Sequence, residues 1–220
     1  MQIGRFRQSK ILFYRELKSE WRNRYAINGI LVQLVASVFI CYLSFAQIKP
    51  MTWNALFWVI ILFSSVNAIA RSFVQERSGR LLYFHSLVSP IAVYYSKLML
   101  NVLVTLIISF MGYLVFNLLL GPMNWDQWLF MALVIGFGIG TAGLFTMVSA
   151  IASKTRSGSI LMPMLSFPLI IPLLLVGISA AAGLVLNQPE NFVRSLGVLV
   201  LIDAMIIGLG VILFRFLWQD

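Results

Sequence analysis

Three groups of residues in this 220-residue chain have types and spacings that could do chemistry. The first lies between positions 76 and 97: Glu76, Gly79, Leu82, Tyr83, Leu87, Ser89-Pro90 and Lys97. Gly79 permits a sharp turn after the charge of Glu76. Leu82 then opens a short apolar helix that Pro90 follows, and Tyr83 with Phe84 offers aromatic anchors of the kind that dominate protein interfaces. Lys97 can lay its stem on apolar surface and keep its ammonium at lipid headgroups. This is docking chemistry rather than catalysis, and residue types alone leave an ordinary solvated connector equally open. His85 in the same stretch has the donor for haem iron, but a surface or partner-facing histidine is the simpler reading.

The second group is Pro163, Pro168 and Pro172, three prolines within ten residues of an apolar run. Each removes a backbone donor and crowds the preceding turn. The expected result is a broken helix, either a kink for packing or a set of freed carbonyls lining a translocation path, because broken helices in a bilayer need neighbours or water to satisfy them. The third is Asp203, the only acid inside a span. Intramembrane acids mark functional sites by default, and Asp203 is expected to pair with a polar neighbour or to line a cavity.

Other chemistries have no residues to carry them. The chain contains no GxxxxGK[ST] phosphate loop, no His/Glu zinc signature and no Ser/His/Asp set, so it is not expected to be an enzyme or to bind ATP itself. One cysteine, Cys41, in an apolar run excludes a disulfide framework and a Cys-based metal site, and reads as a small buried side chain.

The elements that must hold these residues follow from composition. Sixty per cent of the residues are apolar, 10% are charged, and the mean hydropathy is +0.94. A soluble domain carries roughly 25% charged residues; the apolar excess here calls for a bilayer. Cutting the chain at its charges leaves uncharged windows at 25–48, 50–70, 98–125, 127–153 and 157–189, and a run at 195–214 broken only by Asp203. The expected fold is all-α, a polytopic membrane protein with helices near 26–48, 52–70, 98–120, 128–152, 160–186 and 195–214, forming one domain over 26–220.

Residues 1–25 carry seven Lys/Arg and no long apolar core, which argues against a cleaved signal peptide. They read instead as an interfacial helix: Phe6, Phe13, Leu17 and Trp21 share one face and Arg15, Lys18 and Arg22 another. Fourteen of the sixteen Lys/Arg fall on the side of the N-terminus, the 71–97 loop, the 153–159 loop and the C-terminal tail; only Lys49 and Arg194 fall opposite. The positive-inside rule then places both termini in the cytoplasm. The net charge of +9 is thereby explained by topology, and no nucleic-acid partner is expected. Trp53, Trp125, Trp128 and Trp218 fall near expected helix ends, where aromatic belts sit. Asn67 and Asn101 are placed for hydrogen bonds between helices, and Gly136–Gly140 for close helix packing.

The segment ERSGRLLYFHSLVSPIAVYYSK resembles the loop between the second and third helices of ABC-2 type transporter permeases, which has an acid, a Gly, a Leu and a Pro followed by Lys. Arg80 departs from that pattern, which more often has Thr or Ser after the glycine. MPMLSFPLIIPLLLVGISAAAG, following the basic SKTRSGS, is similar to the Pro-rich fifth helix of the haem exporter protein B (CcmB) family. The resemblance implies a permease subunit for haem export or delivery in c-type cytochrome biogenesis, in the bacterial inner membrane. It implies that Glu76, Gly79, Leu82, Tyr83, Leu87, Pro90 and Lys97 couple to a separate ABC ATPase that binds the ATP. It also implies a homodimer, cytochrome-maturation membrane proteins and a haem chaperone as partners, and haem as transient cargo with no covalent cofactor. An ABC-2 permease for a drug, lipid or polysaccharide, a proton-coupled carrier using Asp203, and a membrane scaffold are the alternatives.

Overall fold

The structure, a computed structural model, describes residues 5–22, 24–45, 47–74, 90–153 and 158–217, all of them helix or short connection. The described helices are α1 (Arg5–Arg22), α2 (Arg24–Ser44), α3 (Pro50–Val74), α4 (Pro90–Leu120), α5 (Gln127–Ser153), α6 (Gly158–Val185) and α7 (Pro189–Leu217). Five of them, α3 to α7, are long and apolar enough to cross a membrane. In α2 the apolar stretch is Asn28–Ser44, 17 residues, shorter than the ~20 that a full span uses. The chain is therefore an all-helical, multi-pass membrane protein, with large apolar side chains such as Phe39, Phe110, Phe167 and Leu201 exposed around its outside.

The helix ends carry recognisable stop and start chemistry. Asp126 caps α5, its Oδ1 accepting from the backbone N–H of Trp128 at 2.9 Å and Leu129 at 3.3 Å. Gly121, at φ +84°, terminates α4 in a conformation that needs no Cβ. At the end of α6, Asn187 is left-handed (φ 52°) and the Gln188 N–H reaches back to the Gly183 carbonyl at 2.8 Å. Pro189 then starts α7 at once, where its missing N–H costs nothing. Two helices begin well ahead of their expected limits for this reason: the third expected span, starting at 98, begins at Pro90, and the last, starting at 195, begins at Pro189. At its other end, α3 runs on past 70 to Val74.

α3 and α5 occupy the centre. α5 packs on α3, α4, α6 and α7, and α3 packs on α2, α4, α5 and α6, while α1 lies against α4. Asn101 donates to Thr146 Oγ1 at 2.8 Å between α4 and α5, and Asn67 to Gln33 Oε1 at 3.2 Å between α3 and α2, so both asparagines bond across helices as their positions predict. At the end where α3 and α5 begin, Trp53, Phe57, Phe116 and Phe130 are fully buried in one aromatic cluster with Trp125 and Tyr113. Trp53 stacks on Phe57 with centroids 5.3 Å apart. This corrects the aromatic-belt placement of Trp53, because the start of α3 is roofed by the 121–126 connection. Trp128, 85% exposed, does sit where a belt residue should. Cys41 is half-buried rather than buried, since α2 lies at the edge of the bundle.

Candidate functional site

Among the described residues, two side chains of charged type, Lys97 and Asp203, are buried in the bundle, and their sites are built differently. The first is the end of α4 that follows the connector 75–89. Because α4 starts at Pro90, Lys97 lies two turns inside the helix instead of at its mouth. It is 5% exposed, and its Nζ donates to Glu16 Oε2 of α1 at 3.3 Å. The expected headgroup-facing lysine is thus corrected to a buried cation covered by the amphipathic helix. Arg15 bonds the other oxygen of Glu16 at 2.9 Å. Burial pushes the Glu16 carboxyl up, but Lys97 and Arg15 together outweigh it and hold it below the usual carboxylate range. Glu20, one turn on, is raised: burial dominates, Lys97 opposes it in part, and the charge of Glu16 adds to it.

Spacing marks Lys97 but says nothing of Glu16, which lies 81 residues away in the chain. A weaker signal exists. Glu16 and Glu20 are the only acids in the first 25 residues, among seven cations, and their i, i+4 spacing sets both on one stripe.

The second place is the seam between α5 and α7. Gly136, Gly140 and Gly143 form a strip on α5 that receives α7. A Cβ on Gly136 would stand 3.0 Å from Leu199, and one on Gly143 would stand 3.3 Å from Ile207. At Gly140 the group received is the carboxylate of Asp203: a Cβ there would collide with Asp203 Oδ1 and stand 2.8 Å from Leu173 of α6. The close-packing site expected at Gly136–Gly140 is present, extends one turn to Gly143, and its partner is α7. Asp203 is 7% exposed, and no hydrogen bond or ion pair reaches its Oδ1 among the described residues. Within this chain, its Oδ1 packs on a glycine and takes no hydrogen bond.

The prolines do not end their helix. α6 is helical without interruption from Gly158 to Val185, through Pro163, Pro168 and Pro172. Pro168 and Pro172 lie one turn apart on the exposed outer face, away from α5 and α7. Their missing N–H groups leave the carbonyls of Met164 and Pro168 without the usual i+4 donor, but these do not line the interior of the bundle. Of the docking set, Pro90 is the first residue of α4 and Lys97 is placed as above. Glu76, Gly79, Leu82, Tyr83 and Leu87, with His85, lie outside the described residues.

No curated protein matches the chain. The family model described as CcmB protein does, over residues 7–216, which takes in every helix from α1 to α7. By that match along nearly its whole length the chain belongs to the CcmB family, the haem exporter protein B family, whose members are permease-type membrane subunits of an ABC haem-export system.

Proposed function

We propose that this chain is the permease subunit of an ABC transporter complex that exports or delivers haem for c-type cytochrome biogenesis, in the bacterial cytoplasmic membrane. The observation that carries this reading is the family match across residues 7–216. In this reading α2 completes a set of six spans with both termini in the cytoplasm, as the distribution of Lys/Arg favours. The ATP is bound by a separate ATPase, which docks on residues 76–90 through Leu82, Tyr83 and Leu87. Gly79 turns the chain, and Glu76 pairs with a basic group of the ATPase or caps the loop helix. Two copies assemble with the other cytochrome-maturation membrane proteins and a haem chaperone, and haem is handled transiently. Pro163, Pro168 and Pro172 serve this complex rather than the folding of α6.

The placement of Lys97 supports a mechanical role for the region. The connector delivers the chain to Pro90, and seven residues later α4 is pinned to α1 by the Lys97–Glu16 pair. A push on the connector would move α1 and α4 together, as one unit.

The test is a cysteine at Leu82 or Ser86 in membranes that contain the ATPase. A crosslink between the two proteins whose yield changes with nucleotide is expected. Tyr83→Ala should weaken association by more than about 1 kcal/mol if it is an interface hot spot, with insertion unchanged. Reporter fusions after residue 122 should score extracytoplasmic, and those after 80 and 156 cytoplasmic. Purification of the chain alone, with normal cytochrome maturation after substitutions throughout 76–90, would overturn the docking role. Normal cytochrome yield after both Pro168→Ala and Pro172→Ala would reduce α6 to packing.

A further inference from the structure

Asp203 is a buried carboxylate to which the haem-delivery reading gives no task. It lies near the middle of the apolar stretch Pro189–Phe214, fourteen residues from one end and eleven from the other. At 1.5 Å per residue, that is roughly 16–21 Å from either end, well inside a hydrocarbon layer about 30 Å thick. An ionised carboxylate at such depth requires a cation, hydrogen-bond donors or water.

Among the described residues, no hydrogen bond or ion pair reaches Oδ1. α5 and α6, which pack directly on this part of α7, contain no charged or titratable side chain along their whole length. The hydroxyl next to Gly140 on α5 is taken by its own backbone: Thr141 donates to the Phe137 carbonyl at 2.9 Å. On α4, the buried Thr105 and Ser109 hydroxyls have no partner of their own, and neither bonds to Asp203. α4 also touches α7 and carries Tyr94, Tyr95, Lys97 and Tyr113. Of these, Tyr94 seats its hydroxyl on Gly210, seven residues along α7 from Asp203, and Lys97 is bound to Glu16. On α7 itself, Glu190, Arg194 and Arg215 are nine residues or more away, about 13 Å along the axis. What Oδ1 of Asp203 rests on is the bare Cα of Gly140, with the methyl of Leu173 at the same notch.

We propose that Asp203 is an intramembrane proton-binding site: the carboxyl is held neutral while seated on Gly140, and it exchanges its proton only when the α5–α7 seam opens. The ligand is the proton. The neutral acid fits an apolar notch that the anion cannot occupy without water. Opening the seam admits that water, so the carboxyl can ionise, and the anion in turn favours the open seam. The coupling is reciprocal, as any linkage between two equilibria must be. Proton occupancy thus reports the separation of α7 from α5, whatever cargo the complex serves, and the idea stands or falls independently of the haem reading.

Infrared difference spectroscopy on the full chain in lipid nanodiscs at neutral pH tests it, comparing wild type with Asp203→Asn. The expected result is a carbonyl band of a neutral carboxylic acid that is present in wild type and absent in the variant. That band should shift slowly after transfer to deuterium oxide. Gly140→Ala, which places a methyl where Oδ1 sits, should speed the shift at least about tenfold, the factor equivalent to about 1.4 kcal/mol of lost seam stability. Carboxylate bands in place of the neutral acid would overturn the proposal. So would exchange as fast as that of an exposed acid, or exchange unaffected by Gly140→Ala. Should Asp203→Asn not be recovered, an apolar carbodiimide, which attacks protonated carboxyls, decides the question on wild type. An adduct mapped to Asp203 by mass spectrometry supports the proposal, and its absence overturns it.

Discussion

Lys97 and Asp203 are both buried ionisable side chains on membrane helices, and the protein accommodates them by opposite means. Lys97 is paired with a carboxylate. It sits near one end of α4, where α1 brings Glu16 and Glu20 over it, and Arg15 completes a chain of alternating charge. Asp203 has no such cover, because α5 and α6, which flank it, carry no charged side chain, and its Oδ1 rests on a glycine. The difference is one of position. An amphipathic helix at the edge of the bundle can present acids to a neighbour while its other face stays in water. A helix in mid-membrane can offer only backbone and small side chains. The first arrangement binds two elements together by charge; the second leaves a seam that tolerates its acid only in the neutral form.

The largest expected effect breaks the charged side of this comparison. Lys97→Ala leaves Glu16 largely buried beside Glu20, with its main cation gone. Removing one partner of a buried pair costs about 3–5 kcal/mol; with Glu16 still partly reached by solvent, the lower end of that range applies here. Thermal unfolding in detergent, followed by tryptophan fluorescence, should show the loss, and Lys97→Met combined with Glu16→Leu should recover much of it. Gly140→Ala is next. Its methyl must displace Asp203 or move α7 outward, an overpacking cost of about 1–3 kcal/mol, read by the same assay. By contrast, Gly197→Ala and Gly208→Ala on α7 should be silent, since nothing lies within 4 Å of a Cβ at either position.

The same two residues show how far the sequence could be read. The placing of the five long apolar helices follows from the gaps between charges, whereas the first of the six expected spans has an apolar stretch of only 17 residues, Asn28–Ser44. Asn67, Asn101 and the Gly136–Gly140 notch could be placed on interhelical contacts from their types alone. Helix ends were less legible. Pro90 and Pro189 lay outside the expected spans, yet each is a favoured first residue of a helix, and so Lys97 moved from a helix mouth to its interior. The partner of Lys97 was hidden because a pair 81 residues apart leaves no periodic trace. The uninterrupted course of α6 was hidden for another reason. Proline costs a soluble helix dearly, but on the outer face of a membrane helix the remaining hydrogen bonds carry the helix through.

A pH prediction sharpens the charged side without mutation. Glu20 has a raised pKa in the folded state, so it takes up a proton first on acidification, above the usual glutamate range. That step favours the folded state, because the folded form binds the proton more tightly than the unfolded one. Glu16 has a lowered pKa, so its contribution is complete above the unfolded value and is lost as pH falls through the folded one. The docking of α1 on α4 should therefore survive mild acidification and fail only below the ordinary glutamate range. A fluorophore on exposed Tyr14→Cys, in a variant with Cys41→Ser, would report the release. Release above that range would mean that Glu20, rather than Glu16, holds the helix down.

Among the changes at buried side chains, the smallest effect is expected at Asp203→Asn, and its smallness is informative. If the carboxyl is neutral in the seam, the change to asparagine replaces one neutral polar head by another of nearly equal size. No ion pair is broken, because none reaches Oδ1 among the described residues. The asparagine gains a second donor with nowhere to place it, and hydrogen bonds between membrane helices average about 0.6 kcal/mol. A stability change within about 1 kcal/mol of wild type is therefore expected, roughly a third of the loss at Lys97→Ala. If Asp203 were instead an anion held by a cation from a second chain, Asp203→Asn would strand that cation in hydrocarbon and cost as much as the lysine change does. Measured side by side, the two variants separate a charge that is kept from a charge that is avoided.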